Sequence, residues 1–240
     1  MSDPIAAMLV IGDEILSGRT RDSNMHFLAQ ELTRHGSPLG EVRVVRDDHA
    51  AIVAAVNGLR GAFTQVFTSG GIGPTHDDIT ADAVAAAFGV AIGHRADAMA
   101  LLAAHYDRAG QPFNDARQRM ARIPEGAALI DNPISTAPGF TLENVHVMAG
   151  VPKIFEAMVA SVLPRLVGGP PLLSQTLRVE RGEGEIAGDF GALAAEFPDL
   201  AMGSYPFNLN GVFGTNLVIR GTDAARLDHA MLRLAALFGQ

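Results

Sequence analysis

The chain has 240 residues, of which 48% are hydrophobic and 18% are charged, and it contains no cysteine. This composition is typical of a folded protein with room for one domain of ordinary size and a second, smaller one. The lack of cysteine excludes disulfides, thiolate zinc sites and thiol nucleophiles, and the formal charge of −8 gives no general attraction to nucleic acid or to an anionic membrane.

The sequence carries no sign of export or membrane insertion. No stretch approaches the roughly 20 uninterrupted apolar residues of a transmembrane helix, and the start of the chain lacks the basic and apolar segments of a secretion signal. We therefore expect a soluble, cytoplasmic protein with neither a membrane nor a nucleic-acid partner. An anionic ligand would have to be held by a local site, such as a glycine loop or a helix N-terminus.

The first third of the chain alternates apolar runs with amphipathic segments. The apolar runs predict strands at residues 6–11, 41–46 and 65–68. The segments between them predict two helices, one capped within 22–24 and ended by Gly36, the other capped by Asp47 or Asp48. Strands separated by single helices require a largely parallel sheet, which binds ligands beyond the carboxyl ends of its strands.

The rest of the chain is less regular. It predicts helices at 79–88, 96–109 and 153–166, and short strands at 128–130, 140–142 and 145–148. The run Gly168-Gly169-Pro170-Pro171 can continue neither a helix nor a central strand, so we expect a domain boundary there. Beyond it, strands are predicted at 176–180, 200–204 and 212–220, and helices at 185–196 and 223–238.

The strongest local motif is the segment 69–78, which reads SGGIGPTHDD and lies between a predicted strand and a predicted helix. Three glycines in four positions let backbone N–H groups converge on an anion, and the following helix adds a favourable dipole. The hydroxyls of Ser69, Thr75 and Thr80 are further donors. The motif is neither a P-loop nor a dinucleotide fingerprint. The alternative interpretation is a tight turn that needs glycine only for a positive φ.

Three acidic pairs follow three of the predicted elements. They are Asp13-Glu14, Asp47-Asp48 and Asp77-Asp78. In a parallel sheet all three would lie at one edge, where carboxylates could hold Mg²⁺ or a similar ion against phosphate oxygens. An aspartate before a helix is also a common N-cap, so capping and ligand binding both stay open for these residues.

Other candidate chemistry has less support. The eight histidines are scattered and form no H-x-x-x-H pair, and only His76 lies inside the glycine motif. No G-x-S-x-G elbow is present, so serine-hydrolase chemistry is not indicated. Arg117, Arg119 and Arg122 are expected to form a solvated face.

Taken together, the motifs resemble in order and spacing the molybdopterin-binding domain shared by MogA, MoaB and MoeA. They are GDEILSG at 12–18, DSN at 22–24, VRDD at 45–48 and the segment 69–78. A more particular resemblance is to the N-terminal region of the competence/damage-inducible protein CinA, and it extends through Asn114 and the stretches 123–127, 132–140 and 150–152. It covers roughly residues 4–167, and the tail is similar to the small domain that follows in that family.

The resemblance implies an α/β fold, namely a three-layer α/β/α molybdopterin-binding-type domain with a mostly parallel sheet over residues 1–168, and a small α+β domain over residues 172–240. The deamidase domain of full-length CinA proteins is expected to be absent, so its activity is not implied. Two departures stand out. Ser69 replaces the family's usual threonine, and Lys153 replaces an acidic residue at a position where it could meet a phosphate.

Three functions are weighed. The resemblance to CinA implies a metal-dependent nucleotide pyrophosphatase acting on ADP-ribose, a flavin dinucleotide or a related diphosphate. The resemblance to MogA and MoeA implies instead that molybdopterin or adenylyl-molybdopterin is bound without hydrolysis. A non-catalytic scaffold is the third. Each of the first two needs a small phosphorylated ligand, and relatives of this fold usually form dimers or trimers, so a homo-oligomer is expected.

The expected site residues follow from the motifs and the resemblance. The expected catalytic residues are Asp13, Glu14, Asp47 and Asp78. The expected ligands of a divalent cation are Asp13, Asp47 and Asp77. The expected ligand-binding residues are Gly12, Asn24, Ser69, Gly70, Gly71, Gly73, Pro74, Thr75, Asp77, Thr80, Asn132, Pro138, Gly139 and Lys153.

Overall fold

A computed structural model describes residues 4–239 of the chain. The chain divides into two compact units, one reaching to Gly169 and one starting at Pro170. The division falls inside the glycine- and proline-rich run, where neither a helix nor a paired strand can continue. Each unit is described by itself.

The first unit contains eight strands and seven helices among its described residues. The strands are β1 Ala6–Ile11, β2 Leu39–Val45, β3 Gln65–Ser69, β4 Ile92–His94, β5 Arg122–Pro124, β6 Ala128–Ile130, β7 Gly139–Leu142 and β8 Val145–Met148. The helices are α1 Asp13–Leu16, α2 Asn24–His35, α3 His49–Ala62, α4 Thr80–Phe88, α5 Ala96–Arg108, α6 Asp115–Gln118 and α7 Pro152–Val162. Two 3₁₀ turns follow α6 and α7, at Arg119–Ala121 and Leu163–Arg165.

The main sheet has six strands in the order β2-β1-β3-β8-β7-β6. The first four run parallel, and β7 is antiparallel to both of its neighbours. Every side chain of β1 is buried, because alternate residues of a central strand face the helices on either side. Leu9 packs with α3, α4 and α5 on one face, and Met8 packs with α2 and α7 on the other. The predicted three-layer α/β/α architecture is confirmed.

Two features of this unit differ from the sequence predictions. The strands β4 and β5 form a small antiparallel sheet that the apolar pattern did not predict, because each has only three residues. Arg119 and Arg122 do not form a solvated face. Arg122 makes a two-pronged ion pair with Asp82 at 2.8 and 2.6 Å, and Arg119 is half-buried beside the carbonyl of Asp78. Both arginines approach α4 because the turn that carries Arg119 packs against this face of the sheet.

The second unit is a small α+β domain, as expected. Its strands are β9 Leu173–Val179, β10 Ala201–Leu209 and β11 Val212–Gly221, and its helices are α8 Glu183–Glu196 and α9 Ala224–Phe238. The antiparallel sheet has the order β10-β11-β9. Leu217 and Ile219 of the central strand are fully buried against both helices. Throughout residues 4–239, no helix combines the length and the hydropathy that crossing a bilayer requires.

Candidate ligand cavity at the carboxyl edge of the sheet

A cavity of about 520 Å³ lies at the carboxyl ends of β1, β2, β3 and β8. Ligand pockets of small molecules commonly have this size. The strand ends bring together the loops that follow them, and the loop after β6 closes the opposite side. The lining residues are Ile11, Gly12, Glu14, Thr20, Asp47, Gly70, Gly71, Ile72, Gly73, Pro74, Asp77, Asp78, Met120, Asn132, Ser135, Ala137, Ala149, Gly150, Val151, Pro152 and Ile154.

The glycine loop after β3 has a shape that only glycine allows at two positions. Gly70 and Gly71 adopt φ values of 108° and 69°, in the region that disfavours other residues. There is also no room for a side chain. A Cβ atom on Gly70 would lie 2.2 Å from the carbonyl oxygen of Ile11, and one on Gly71 would lie 2.1 Å from Oγ1 of Thr80. The loop therefore needs glycine for its conformation and for its close packing against β1 and α4.

Three consecutive N–H groups of this loop are free. Within residues 4–239, no hydrogen bond uses the N–H of Gly71, Ile72 or Gly73, and all three residues line the cavity. The N–H groups on either side are occupied, since Gly70 donates to the Met148 carbonyl at 3.1 Å and Thr75 donates to the Asp78 carboxylate at 2.8 Å. A simple turn would not need such a run of unused donors, whereas an anion site does.

Polar side chains next to the loop fix its shape. The Asp78 carboxylate accepts from the N–H of Thr75 at 2.8 Å and from its hydroxyl at 2.6 Å. The hydroxyl of Thr80 donates to the Gly70 carbonyl at 3.0 Å. Thr75 and Thr80 lie outside the lining of the cavity and support the loop, and their contact with a ligand stays a prediction. Asp78 does line the cavity, and its catalytic role stays a prediction.

Carboxylates line the cavity and its mouth. Glu14, Asp47 and Asp77 lie in the cavity wall and also in the wall of an open pocket of about 680 Å³ at the mouth. The remaining lining residues of the mouth pocket are Asp13, Leu16, Ser17, Arg19 and Arg46. The free N–H groups and these acids therefore share one continuous space. The two arginines were not predicted as site residues, although Arg46 lies within the motif at 45–48.

The predicted metal ligands do not form a complete site. Across the part of the chain that the structure describes, no three histidine, aspartate or glutamate side chains are close enough to hold a metal ion. The Asp13 carboxylate is 3.4 Å from the Arg46 guanidinium, while the N–H of Asp13 donates to the Asp47 carboxylate at 2.9 Å. The Asp13 carboxylate therefore faces the positive charge of Arg46. Asp47 and Asp77 are left as an oxygen-only pair in the cavity wall.

The remaining predicted site residues divide into two groups. Asn132 lines the cavity with its side chain fully bonded within its own loop. Five others lie outside this cavity, and two of them, Asn24 and Ser69, line an adjoining pocket of about 60 Å³. Lys153 is exposed at the start of α7, and Pro138 lines a smaller pocket of about 20 Å³ behind the glycine loop. Gly139 is buried, and a Cβ atom there would lie 2.3 Å from the Val147 carbonyl oxygen, so it serves strand packing.

Several lining residues were missed by the sequence analysis. Ile72, Met120 and Ile154 give the cavity an apolar wall. Ile72 lies inside the predicted motif, but nothing in the sequence connects Met120 with it. His76, the one histidine within the glycine motif, has a fully exposed side chain and lines neither the cavity nor its mouth. The N-terminal end of α7 forms part of the cavity wall and adds a favourable dipole for an anion.

Two family models match this chain. The family model described as "Probable molybdopterin binding domain" matches residues 7–168, and the one described as "FAD synthase, middle domain" matches residues 171–240. The first match covers more than half of the chain. The protein therefore belongs to the molybdopterin-binding (MoaB/Mog-like) domain family.

Within this family the chain is CinA-like. It is similar to the crystal structure of CinA from Thermoplasma acidophilum, with a TM-score of 0.63 and 33% identity over 68% of this chain and 98% of that one. A CinA-like protein of Citrifermentans bemidjiense is 37% identical over 68% of this chain and 40% of its own length. A probable FAD synthase of Caenorhabditis elegans is 32% identical over 97% of this chain and 49% of its own length. The chain thus spans half or less of these two curated relatives.

Proposed function

We propose that the chain hydrolyses the diphosphate bond of a nucleotide such as FAD or ADP-ribose. The observation that carries the proposal is that Glu14, Asp47 and Asp77 line the same cavity as the unused N–H groups of the glycine loop. A site that only retained an anion would lose affinity through carboxylates in its wall. A hydrolase needs such carboxylates to orient water, to accept its proton and to help separate two anionic products.

The size and the lining of the cavity suit a dinucleotide. Its volume of about 520 Å³ is enough for a diphosphate and part of the attached groups. The apolar wall formed by Ile72, Met120 and Ile154 can pack against a flat ring. FAD is the first compound to test, because the relative named a probable FAD synthase aligns with nearly the whole chain. ADP-ribose, which the CinA resemblance implies, is the second.

In this mechanism, the N–H groups of Gly71, Ile72 and Gly73 hold the phosphate oxygens and stabilise the charge that grows on them during attack by water. The N-terminal end of α7 adds its dipole from the other side. Arg19 and Arg46 at the mouth compensate part of the negative charge of the acids and of the leaving phosphate. One carboxylate of the wall accepts the proton of the attacking water.

A divalent cation is part of the proposal. The residues fit one only in part. Asp47 and Asp77 offer the oxygen ligands that Mg²⁺ or Mn²⁺ prefers, but among the described residues no three acidic or histidine side chains are placed to hold an ion together. Phosphate oxygens of the substrate would have to complete the coordination. When bound, such an ion neutralises charge on the phosphates.

We also propose a second function, which the description of the family model matching residues 7–168 suggests. A pterin carrying a phosphate would also fit the loop and the apolar wall, and molybdopterin would then be bound without hydrolysis. The two functions differ in what the carboxylates do. In this second case they would accept hydrogen bonds from the pterin N–H groups, and no diphosphate would be cleaved.

The test is an assay of AMP release. The purified protein is incubated with Mg²⁺, Mn²⁺ or Co²⁺ and, in turn, with FAD, ADP-ribose and NADH, and each mixture is repeated with EDTA. We expect AMP from at least one compound in the presence of an ion and none with EDTA. If no compound yields AMP with any ion, the hydrolase is excluded, and a fluorescent pterin that copurifies with the chain would favour the second function.

A further inference from the structure

A small polar pocket opens beside the main cavity. Its volume is about 60 Å³, which is room for water but not for a nucleotide ring. It shares Glu14, Thr20 and Gly150 with the main cavity, so the two spaces adjoin. We call it the side pocket. Its lining residues are Val10, Ile11, Glu14, Ile15, Thr20, Arg21, Asp22, Ser23, Asn24, Ser69, Gly150 and Pro152.

Asn24 of this pocket has a buried oxygen without a partner. The residue is 4% exposed, and its Nδ2 donates to the Ser69 hydroxyl and to the Gly150 carbonyl, both at 2.8 Å. A carbonyl can only accept, so these bonds fix the orientation of the amide. Oδ1 is then buried with no hydrogen-bond partner among the described residues. A buried acceptor costs free energy unless a ligand atom or a water molecule satisfies it.

The other polar groups of the side pocket complement this acceptor. The Ser69 hydroxyl accepts from Asn24, which leaves its own proton free to donate. The Glu14 carboxylate is a second acceptor, and the N–H of Thr20 holds the Glu14 backbone carbonyl at 3.0 Å. The pocket therefore offers two acceptors and at least one donor. A water molecule, which both donates and accepts, matches this set.

Glu14 lies where the two spaces meet. Its carboxylate folds back over Gly12, so that a Cβ atom on Gly12 would be 2.5 Å from Oε2 of Glu14. Gly12 lines the main cavity, and Glu14 lines the main cavity, the side pocket and the mouth. Glu14 therefore borders both the side pocket and the space next to the glycine loop.

We propose that the side pocket holds the water that attacks the diphosphate, with Asn24 as the residue that positions it and Glu14 as its general base. This inference rests on the proposed hydrolase function. The water oxygen forms a new bond to one phosphorus as the bridging P–O bond breaks. The bridging oxygen leaves with the electron pair on the departing phosphate, and Glu14 takes the proton from the water and later releases it to solvent.

The experiment measures kcat and KM for AMP release from the compound that the wild-type chain hydrolyses best. The variants are Asn24→Ala and Asn144→Ala. Asn144 is the matched control, because its Nδ2 also donates two hydrogen bonds, to the carbonyls of Arg60 and Phe63 at 3.0 Å, at the opposite end of the sheet. We expect Asn24→Ala to lower kcat by roughly 30-fold with KM changed less than about threefold. Asn144→Ala keeps the wild-type kcat.

Two further measurements separate positioning from a folding defect. Ser69→Ala removes the donor of the side pocket and should lower kcat, whereas Ser69→Thr keeps the hydroxyl and should retain most of it. In Glu14→Ala, added formate should restore part of the lost turnover, because a free carboxylate can accept the proton of a water that Asn24 still holds.

The outcomes distinguish the two proposals. If the wild-type chain releases no AMP, the hydrolase function fails and the water pocket fails with it. If the wild-type chain is active but Asn24→Ala and Ser69→Ala, both folded by circular dichroism, keep its kcat, only the water pocket is wrong. A rise in KM with unchanged kcat would likewise contradict it, since that would make Asn24 a substrate-binding residue. Failure of formate to restore any activity would contradict the role of Glu14.

Discussion

The polar groups at the two ends of the six-stranded sheet differ in their hydrogen bonding. At the amino ends of the parallel strands, the amide of Asn144 ties the carbonyls that end α3, and the Thr64 hydroxyl donates to the Ile5 carbonyl at 2.7 Å. At the carboxyl ends, the amide of Asn24 makes two comparable bonds but leaves its oxygen unpaired. At the amino end these two side chains are bonded inside the domain, although the Ser37 hydroxyl just before β2 is also buried without a partner among the described residues. At the carboxyl end, the unpaired groups belong to residues that line the cavities.

This difference indicates which part of the domain contributes to stability and which part contributes to function. Unused N–H groups and clustered carboxylates each cost the folded state free energy, and glycines lose more backbone freedom on folding than other residues. All three occur together at the carboxyl edge. The buried strands compensate for that cost. Substitutions at the carboxyl edge should therefore alter turnover more than stability, and substitutions elsewhere in the sheet should do the reverse.

The largest effect is expected for Gly71→Ala. The new Cβ would collide with Thr80 Oγ1 and would strain a backbone at φ 69°, which turns the loop N–H groups away from the phosphate. We expect AMP release to fall about 10³-fold, with a stability loss of only about 1–2 kcal/mol. Gly93→Ala is the control, because nothing lies within 4 Å of its Cβ position. Equal losses of activity in the two variants would contradict the special role of the loop.

The next largest effect is expected from the protonation of a buried histidine inside the sheet on acidification. It should change stability and not AMP release. His146 of β8 is 2% exposed and accepts from or donates to Thr141 and Gln65 at 2.9 and 2.7 Å. Burial lowers the pKa of His146 from 6.5 to about 4. The unfolded chain therefore binds a proton below pH 6.5 that the folded chain excludes until about pH 4, so stability falls as the pH falls through this interval.

The size of this loss is about 3 kcal/mol in all, at up to roughly 1.4 kcal/mol per pH unit. Urea unfolding of the wild type and of His146→Gln at several pH values measures it, and the difference between the two curves isolates the histidine. We expect the wild-type curve to drop relative to the variant on acidification. A constant difference from pH 7 to pH 4 would show that burial of His146 is not linked to protonation.

The sequence predicted those parts of the site that are formed by residues adjacent to one another in the chain. The apolar runs located the strands, and the consecutive glycines of the loop located its N–H groups. Contacts between distant segments were not predictable. Met120 reaches the cavity from a turn about 50 residues beyond the loop, and Asp13 is turned toward Arg46 rather than toward a metal. Lys153 is exposed because successive helical residues point about 100° apart.

The neighbouring aspartates Asp47 and Asp48 allow a residue of the cavity wall to be compared directly with a residue that only stabilises the fold. Asp47 lines the cavity and accepts the N–H of Asp13 at 2.9 Å, whereas Asp48 caps α3 by accepting the N–H of Ala51 at 2.8 Å. Asp47→Ala should lower AMP release roughly 100-fold, and Asp48→Ala should keep it and lose about 1 kcal/mol of stability.

Kinetics with saturating Mn²⁺ and urea unfolding measure both variants side by side. Because the two residues are adjacent, any nonspecific disturbance of this loop would affect them alike. Intact turnover in Asp47→Ala would remove Asp47 from the site, and equal loss of turnover in both variants would mean that the loop after β2 acts only through its fold. If Asp47→Ala loses turnover and Asp48→Ala loses only stability, then Asp47 acts on the ligand and the adjacent Asp48 acts only as a helix cap.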